Sequence, residues 1–363
     1  MKIILDNIIF QLQVSGGISN YWFQLIKNLT SESNLEISFF GDKHTDNIFR
    51  NLIDLNTYPN LGIQNFPFSR YLNPKLEKQD YPAIFHSSYY RTSQNKKHIN
   101  ITTVHDFTYE RFIKTPQSYA HKIQKKKAIL NSDGIICISE NTKRDLLKFV
   151  PELKKSQKVI VIPHGVSSNS FKVLPANENI IPMPTKFSSG EYIVYVGDRK
   201  ASYKNFDKAA KVAHKTKLPL VIIGGGALQP HELTFLENPA YKMAYEHKAK
   251  VDNQTLNWFY NNAFALLYPS AYEGFGLPVV EAQLAGCPVI ALNDSSIPEV
   301  AGDAAILVNE NSVEAFVKGL DQLKDFKLRT ELIDKGFKNA AKFTWQNTFN
   351  QTLEFYKELY KTS

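Results

Sequence analysis

The chain is predicted to be an α/β protein in which two domains each contain a parallel β-sheet. Short apolar segments typical of buried strands alternate with helical patterns along almost the whole chain. At 363 residues the chain exceeds the size of an ordinary single core, which favours two domains. Residues 167–190 contain three prolines and little periodicity, so we interpret this segment as the linker between the domains.

The first half of the chain shows the alternation most simply. Apolar runs bounded by polar residues predict the strands, and longer apolar-polar patterns predict the helices. Residues Ser139-Glu140-Asn141-Thr142 open the last of these helices. The predicted strands are 2–5, 36–40, 83–86, 101–104, 134–138 and 159–162, and the predicted helices are 18–29, 117–131 and 139–149.

The second half repeats this organisation after the linker. Two similar halves suggest two facing domains with a cleft between them, and ligands of such sheets lie at the carboxyl ends of the strands. The predicted strands are 192–196, 218–223, 265–268 and 288–292, and the predicted helices are 253–262, 278–286, 313–323, 328–343 and 346–359.

The chain carries a net charge of +8, from 43 basic and 35 acidic residues. Such a surplus favours nucleic acid, phosphorylated ligands or an acidic membrane face as partners. No nucleic-acid motif accompanies the charge, so we expect no nucleic-acid partner. The densest basic cluster lies on the predicted helix 117–131, which should bury Ile123, Ile129 and Leu130, and it consists of Lys122, Lys125, Lys126 and Lys127. Both an ordinary solvated face and a docking patch for anionic lipid fit this cluster.

Cysteine usage and the lengths of the apolar runs indicate a cytoplasmic protein. Cys137 and Cys287 each lie in an apolar stretch, and we interpret them as buried free thiols in a reducing compartment. The first residues are predicted to form a strand rather than a secretion leader. No apolar run approaches the ~20 residues that a membrane span requires. Peripheral attachment to the inner face of the cytoplasmic membrane stays open.

The most informative segment is 271–281, with the sequence Ala-Tyr-Glu-Gly-Phe-Gly-Leu-Pro-Val-Val-Glu. It places Glu273 and Glu281 eight positions apart around a glycine-rich turn and a proline-started helix. Gly274 and Gly276 let backbone N–H groups approach a ligand, and a loop that feeds a helix N-terminus favours phosphate. One carboxylate near a reacting group and one near ligand hydroxyls suit a nucleotide sugar. Taken singly, Glu273 is also typical of a solvated loop, and Glu281 is also typical of a first helical turn.

Other polar residues mark the ends of predicted strands. Gly16 and Gly17 follow the first strand and open a helix, which makes a second place for an anion, although a lone Gly-Gly is often only a turn. His105 ends a buried strand beside Asp106, a neighbour able to fix the imidazole tautomer, although a histidine there is often structural.

A pair of basic residues follows the first strand of the second domain. Arg199 offers a planar fork and Lys204 a point charge, so both suit one diphosphate group. Solvated loop cations are the plainer interpretation, and Lys200 is a less suitable substitute.

Segment 271–281 strongly resembles the E-x7-E motif of the retaining glycosyltransferases of family 4. The resemblance extends over nearly the whole chain. Residues 103–107 look like the family's His-Asp segment, Arg199 and Lys204 look like its Arg/Lys pair, and residues 224–226 match its glycine turn. Residues 343–345 match the aromatic segment before the last helix.

The family's fold is GT-B, so the resemblance implies two facing Rossmann-like domains with an interdomain cleft. Residues 1–166 would then form an acceptor-binding domain, to which the C-terminal helix at about 345–363 crosses back. Residues 167–344 would form the domain that binds the nucleotide sugar.

The resemblance also implies roles for individual residues. The donor diphosphate would rest on the turn after Glu273, with its charge balanced by Arg199 and Lys204, while Glu281 would accept hydrogen bonds from ribose. The implied catalytic residues are Glu273, His105, Arg199 and Lys204. The implied donor-binding residues are Gly16, Gly17, Arg199, Lys204, Gly274, Phe275, Gly276, Leu277 and Glu281.

Asp106 and His164 are implied acceptor or cleft residues. His164 stands where the family usually has asparagine, so this position departs from the family's pattern. The chain has no Asp-x-Asp motif, so we expect neither a metal nor a cofactor, and the basic pair and the helix dipole would neutralise the diphosphate.

The resemblance is nearest to bacterial mannosyltransferases of surface polysaccharide assembly, including O-antigen synthesis. It implies GDP-mannose as the first choice of donor, with UDP-hexoses and GDP-deoxysugars open, and a lipid-linked oligosaccharide as the acceptor. Two other functions share this architecture. One is a nucleotide-sugar epimerase, which product analysis with donor alone would reveal, and the other is a nucleotide-sugar-binding subunit without catalysis.

Overall fold

The computed structural model describes residues 1–42, 45–64, 66, 68–76, 80–175, 184–238 and 243–362. The chain divides into two compact units, of which the first is Met1–Gly165 together with Trp345–Ser363 and the second is Val166–Thr344. The described parts of the predicted linker, 167–175 and 184–190, form neither helix nor strand. Backbone amides of Lys172 and Leu174 donate hydrogen bonds to the side chains of Asn257 and Asn261, which fixes this stretch on the second unit.

The first unit contains a parallel six-stranded sheet in the order β2-β1-β3-β4-β5-β6. The six strands predicted for this half are confirmed. They are β1 Lys2–Asp6, β2 Glu36–Phe40, β3 Ala83–Ser87, β4 His98–Val104, β5 Gly134–Cys137 and β6 Lys158–Val161. The helices of this unit are α1 Ile9–Leu12, α2 Gly17–Leu29, α3 Thr108–Phe112, α4 Pro116–Leu130, α5 Glu140–Phe149 and α13 Trp345–Lys361.

The core of the first unit lies between its sheet and two long helices. Helix α2 buries one face, including Trp22 and Ile26, and α13 buries Phe355 and Tyr356 in the same cluster. A Cβ on Gly134 would lie 2.5 Å from a methyl group of Leu359. The glycine at the start of β5 therefore lets the C-terminal helix pack closely on the sheet.

The second unit has a parallel six-stranded sheet in the order β12-β11-β10-β7-β8-β9. Its strands are β7 Ile193–Val196, β8 Leu220–Ile223, β9 Tyr245–Lys248, β10 Ala265–Tyr268, β11 Val289–Leu292 and β12 Ile306–Val308. Its helices are α6 Phe206–Thr216, α7 Pro230–Leu236, α8 Asn253–Asn262, α9 Leu277–Leu284, α10 Ile297–Ala301, α11 Val313–Gln322 and α12 Phe326–Ala340.

The two edge strands of the second sheet were not predicted. Strand β9 has the sequence Tyr-Glu-His-Lys and its residues are all half-buried, while β12 has only three residues. A polar edge strand lacks the apolar run or alternation that identifies strands in a sequence. The four central strands, which are fully or almost fully buried, were predicted correctly.

Helix α4 corrects one prediction about the basic cluster. Ile123, expected on the buried side, is 67% exposed, whereas Lys125, expected among the surface lysines, is 1% exposed. The inward face follows the spacing 118, 121, 125 and 128, which is the helical period. Lys125 can occupy that face because Glu110 pairs with its ammonium group at 2.7 Å.

Both cysteines are buried, and neither forms a disulfide. Within the described ranges, no helix is long and apolar enough to cross a membrane.

Candidate functional site

The sheet of the second unit reverses its strand order between β7 and β10. From β7 the chain proceeds to β8 and β9 on one side, and from β10 it proceeds to β11 and β12 on the other side. The carboxyl ends of strands beside such a reversal are where open α/β sheets bind ligands. The loop after β7 carries Lys204, and the loop after β10 carries Glu273.

Lys204 and Glu273 form an ion pair at this position. The Lys204 Nζ donates hydrogen bonds to both carboxylate oxygens, at 2.6 and 2.7 Å. Tyr268 Oη, at the end of β10, donates to Glu273 Oε1 at 2.5 Å. Burial and the adjacent glutamate raise the pKa of Tyr268 well above its usual value, so the phenol keeps the proton that it donates. Two donors thus fix the orientation of the Glu273 carboxylate.

Two serines, Ser295 and Ser296, form hydrogen bonds with the backbone of Glu273 and of the turn that follows it. Ser296 Oγ donates to the carbonyls of Glu273 and Phe275 at 2.9 and 2.8 Å, and the Glu273 amide donates to Ser295 Oγ. Gly276 has φ +106°, a conformation that favours glycine, and it caps α9. These contacts fix the backbone at the start of a helix, where free N–H groups and the helix dipole attract anions.

The remaining members of the motif surround this helix start. Phe275 is buried, and its ring lies edge-on to that of Phe343 with centroids 5.5 Å apart. Leu277 is half-buried at the first position of α9, while Gly286, predicted to end the helix, has φ +72° just after it. The structure therefore gives Phe275 a packing role in supporting the turn.

Glu281 lies one turn into α9 and is half-buried. Tyr260 Oη of α8 donates a hydrogen bond to its Oε2 at 3.2 Å. Burial raises the pKa of Glu281 to about 7, and the hydrogen bond from Tyr260 only partly opposes that shift. This carboxyl group therefore titrates near neutrality, and hydroxyl donors of a ligand would favour its ionised form.

Arg199 and Lys204 contact different groups in the structure. Lys204 binds Glu273, whereas Arg199 binds Glu232 and the turn after β8. Its guanidinium donates to Glu232 Oε1 at 3.1 Å and to the carbonyls of Gly224, Gly226 and Ala227. The side chain is fully buried. In this structure Arg199 holds the glycine turn after β8, and its predicted contact with a diphosphate stays a prediction.

His105 and His164 lie against each other in the first unit. Their rings stack with centroids 5.5 Å apart and 10° between the planes, and Tyr21 lies edge-on to both. Burial lowers the pKa of His105 to about 3 and the pKa of His164 well below its usual value. Both imidazoles are therefore neutral at physiological pH, which makes them hydrogen-bonding groups rather than cations.

Asp106 and the predicted N-terminal glycine loop lie on the same unit. Asp106 Oδ1 accepts from the amide of Thr108, so it caps the turn into α3. Gly16 precedes α2, and a Cβ there would lie 2.6 Å from the side-chain oxygen of Gln13. A Cβ on Gly17 would meet nothing within 4 Å, and at Gly16 the flexible end of the Gln13 side chain could move aside, so neither position requires glycine for steric reasons.

Several residues of these arrangements were not identified from the sequence. Tyr268 and Tyr260 each hydrogen-bond to a motif glutamate, Glu232 pairs with Arg199, and Lys125 supports the His-Asp turn. Tyr268 is the one with a usable signal, because it ends the strand that leads directly into the motif. Among the described residues, no three His, Cys, Asp or Glu side chains are grouped as a metal site.

Comparisons with families of known proteins match both halves of the chain. Residues 15–170 match the model described as "Glycosyltransferase Family 4", and residues 177–339 match the one described as "Glycosyl transferases group 1". The chain is 40% identical over 110 residues to the O-antigen chain mannosyltransferase B of Escherichia coli, which covers 30% of this chain and 29% of that protein. The chain spans less than two thirds of the length of the first curated relatives that it matches.

Solved structures match over the whole length. The sucrose-phosphate synthase of Thermosynechococcus elongatus superposes with a TM-score of 0.75 at 18% identity, and the match covers 100% of both chains. The Anabaena protein HepE, solved in complex with UDP and glucose, has a TM-score of 0.72 at 14% identity, over 99% of this chain and 100% of that one. These likenesses, together with the two parallel six-stranded sheets, confirm the predicted fold class.

Proposed function

We propose that this chain, which belongs to the family 4 glycosyltransferases and has their GT-B fold, moves a hexose from a nucleoside-diphosphate sugar to a lipid-linked glycan. The observation that carries the proposal is the Lys204–Glu273 ion pair beside the start of α9, at the strand reversal of the second sheet. A cation, a carboxylate and a helix N-terminus at one point suit a donor whose phosphate leaves as its sugar becomes positive.

The diphosphate is assigned to the N-terminus of α9 and to Lys204. An incoming diphosphate offers Lys204 a second anionic partner, so the ammonium group is shared between phosphate and Glu273. As the glycosidic bond breaks, negative charge grows on the phosphate oxygen, and the interaction with Lys204 strengthens. Charge neutralisation by a side chain and a helix dipole needs no metal ion, and adding EDTA to the assays tests this part of the proposal.

Glu273 is assigned to the sugar and Glu281 to the ribose. Glu273 is fixed by Lys204 and Tyr268, which suits orientation of sugar hydroxyls and stabilisation of positive charge at the anomeric carbon. We propose retention of configuration, with the leaving phosphate oxygen taking the acceptor proton, so that no side chain acts as general base. A product analysis by NMR checks the anomeric configuration.

The donor sugar is proposed to be mannose carried by GDP. The support is the partial likeness to a protein named as an O-antigen chain mannosyltransferase. The HepE structure contains UDP and glucose, so UDP-hexoses are the alternative donors to compare. Bacterial O-antigen or another surface polysaccharide is the proposed product.

The acceptor is assigned to the first unit, near His105. A cavity of about 370 Å³ opens there, and its lining includes Tyr71, Tyr90, Thr92 and Gln124. A hydrogen bond joins Tyr90 to the backbone of His105, which links this cavity to the His-Asp turn. A neighbouring cavity of about 790 Å³ shares Leu72, Asn73 and Gln94 with it. Aromatic rings and amides of this kind suit the apolar faces and hydroxyls of sugars.

Attachment to an anionic membrane is proposed through the outer face of α4. Ile123 and Lys127 are exposed on it, beside the half-exposed Lys126. An apolar residue between lysines is typical of helices that lie on anionic bilayers. Flotation with phosphatidylglycerol vesicles should retain the protein, and Ile123→Ser with Lys127→Ser should weaken retention. Lys318→Ser, an exposed lysine of the second unit, is the matched control, and equal flotation of all three proteins would remove the membrane proposal.

Thermal stabilisation by GDP, UDP, ADP and dTDP in the presence of EDTA tests the donor site. A shift with one nucleotide supports a metal-independent donor site and identifies the base of the donor. Transfer of labelled sugar to an acceptor fraction then distinguishes a transferase from a non-catalytic binding subunit, and sugar conversion with donor alone would indicate an epimerase. Absence of any shift would contradict the diphosphate assignment.

A further inference from the structure

A cavity of about 790 Å³ in the first unit lies at the edge of the sheet where the strands begin, and it is called the amino-edge cavity below. Its lining includes Asn95 and Lys97, which closely precede β4, and Asp80, which precedes β3. His105 follows the opposite end of β4. The strand residues His98–Val104 advance by ~3.3 Å each, so the cavity lies roughly 20 Å from His105 along the sheet.

A second cavity connects the amino-edge cavity with the His-Asp turn. It has a volume of about 370 Å³ and is lined by Tyr90, whose side chain is hydrogen-bonded to the backbone of His105. The two cavities share three lining residues, which are Leu72, Asn73 and Gln94. Residues 88–97 return from the end of β3 to the start of β4 without forming a helix or a strand. Parallel strands are usually joined by a crossover helix, and here a trough made of the two cavities takes its place.

Each cavity of the trough is lined by a glutamine whose buried side-chain oxygen accepts no hydrogen bond from the described residues. Gln64 lines the amino-edge cavity and is 7% exposed, and Gln124 lines the second cavity and is 8% exposed. The Gln124 amide nitrogen donates to the carbonyl of Arg70, so the orientation of this amide is set. A buried oxygen without a donor is unfavourable. Both oxygens are therefore suited to a ligand that brings hydroxyl or N–H groups.

The rest of the lining distinguishes between sugars and a hydrocarbon chain. Phe66 and Leu72 are about half exposed, at 49% and 50%, and offer apolar surface to the faces of sugar rings. A hydrocarbon chain would cover the oxygens of Gln64 and Gln124 without donating to them, whereas a polyhydroxylated chain would satisfy both. The amino-edge cavity is also larger than one sugar ring requires, so several consecutive sugars fit it.

We propose, on the basis of the proposed function, that the trough binds an extended glycan. Its acceptor end lies near His105, and the sugars added earlier occupy the amino-edge cavity. The acceptor is then an oligosaccharide of several sugars, and a single sugar is a poor substitute for it. Binding of the remote sugars lowers the KM for long acceptors and leaves kcat nearly unchanged, because these contacts are the same in the ground state and in the transition state.

Acceptors of increasing length test this inference. We would measure kcat and KM on fluorescently tagged manno-oligosaccharides of one to eight residues, with GDP-mannose and with UDP-glucose as donors. For the unmodified protein, kcat/KM should rise by about tenfold between the disaccharide and the hexasaccharide, mainly through KM. A disaccharide held at His105 is too short to span the roughly 20 Å to the amino-edge cavity, whereas a hexasaccharide is long enough.

Variants of the amino-edge cavity separate a binding role from a structural one. Gln64→Leu and Phe66→Ala should each remove about fivefold of the preference for the hexasaccharide, because the cavity loses an oxygen acceptor or an aromatic surface. Gln64→Leu replaces a buried, unpaired amide oxygen by an apolar side chain, so its free energy of unfolding should not fall. Phe326→Ala, at an exposed phenylalanine of the second unit, is the matched control and should keep the full length dependence.

Calorimetry with the untagged hexasaccharide tests binding apart from transfer, and Phe66→Ala should weaken that binding by about fivefold. Equal kcat/KM on all lengths, or equal losses on short and long acceptors in Gln64→Leu, would overturn the inference. Binding of decyl phosphate in place of the hexasaccharide, abolished by Phe66→Ala, would assign the cavity to a hydrocarbon chain and would also overturn it. Absence of transfer from either donor to every acceptor would instead count against the proposed function, while the calorimetric result would still decide whether the trough binds glycan.

Discussion

Among the described residues, a mostly buried lysine–glutamate ion pair of nearly the same length is found in each unit of the molecule. In the first unit Lys125 and Glu110 are 2.7 Å apart, and in the second unit Lys204 and Glu273 are 2.6 Å apart. The surroundings of the two pairs differ. Lys125 is 1% exposed and also donates to the carbonyl of Asp106, whereas Lys204 is 16% exposed at a strand reversal.

The difference shows how one pair of residue types can serve two purposes. The Lys125 ammonium lies 4.1 Å from the centroid of the Phe107 ring, and burial lowers its pKa while Glu110 and Asp106 oppose that shift. A ligand cannot reach it without unfolding the turn. Lys204 binds a carboxylate that Tyr268 also binds, so its charge can be shared with an incoming anion. The first pair stabilises the His-Asp turn, and the second is available for chemistry.

The largest stability effect should come from Lys125→Met. Removal of one partner of a buried ion pair leaves the other charge uncompensated, which costs about 3–5 kcal/mol of the free energy of unfolding. The double variant Lys125→Met with Glu110→Gln should recover part of this loss, since it leaves no buried charge. Urea unfolding at pH 7 measures both variants. A loss below about 1 kcal/mol in the single variant would contradict the structural role of this pair.

Lys204→Met should have the opposite effect, with a large loss of activity and a small loss of stability. If Lys204 neutralises the leaving diphosphate, kcat should fall by about 10²–10³-fold, which is the usual effect of removing one donor that stabilises a transition-state charge. The free energy of unfolding should change less than in Lys125→Met, because Glu273 keeps its hydrogen bond from Tyr268. Initial rates of sugar transfer and urea unfolding test the two halves of this prediction. Near-normal turnover would refute the assignment of Lys204, whatever the stability.

The sequence carried enough information for the fold and for the carboxylates of the second unit. Buried central strands have continuous apolar runs, and the segment 271–281 is distinctive in both composition and spacing. The sequence did not predict the inward orientation of Lys125, because a lysine on a buried face is identified only by the partner that folding brings to it. The contacts of Arg199 were also missed, since Glu232 is 33 residues away along the chain. Long-range pairing of charges leaves no local pattern.

The two units should also differ in how their stability depends on pH. In the second unit the group responsible is Glu281. Its pKa is raised by burial to about 7 in the folded protein, above the usual value of 4.5. Its contribution to stability is therefore complete below about pH 4.5 and is lost as the pH rises through 7, with a total of roughly 3 kcal/mol. Glu281→Gln should remove this dependence, so the variant should be more stable than the unmodified protein at pH 8 and bind nucleotide more weakly. Equal stability of the two proteins at pH 8 would show that the carboxyl group is better solvated than its burial indicates.

The first unit should respond to pH in the opposite direction. His105 and His164 have pKa values lowered by burial, to about 3 for His105, whereas an unfolded histidine has a value near 6.5. The unfolded chain therefore binds protons first, so stability is present above pH 6.5 and is lost as the pH falls from 6.5 toward 3.

From pH 6.5 to 5, His105 should cost about 2 kcal/mol of the free energy of unfolding. His164→Asn removes one titrating group and should flatten the acid side of the stability profile, while the alkaline side set by Glu281 is unchanged. Urea unfolding from pH 5 to 8 on this variant and on Glu281→Gln separates the two sides. If the acid side of the stability profile is unchanged in His164→Asn, the His164 imidazole of the unmodified protein takes up a proton within the folded state. That result would place solvent or an anionic partner beside the His105 ring.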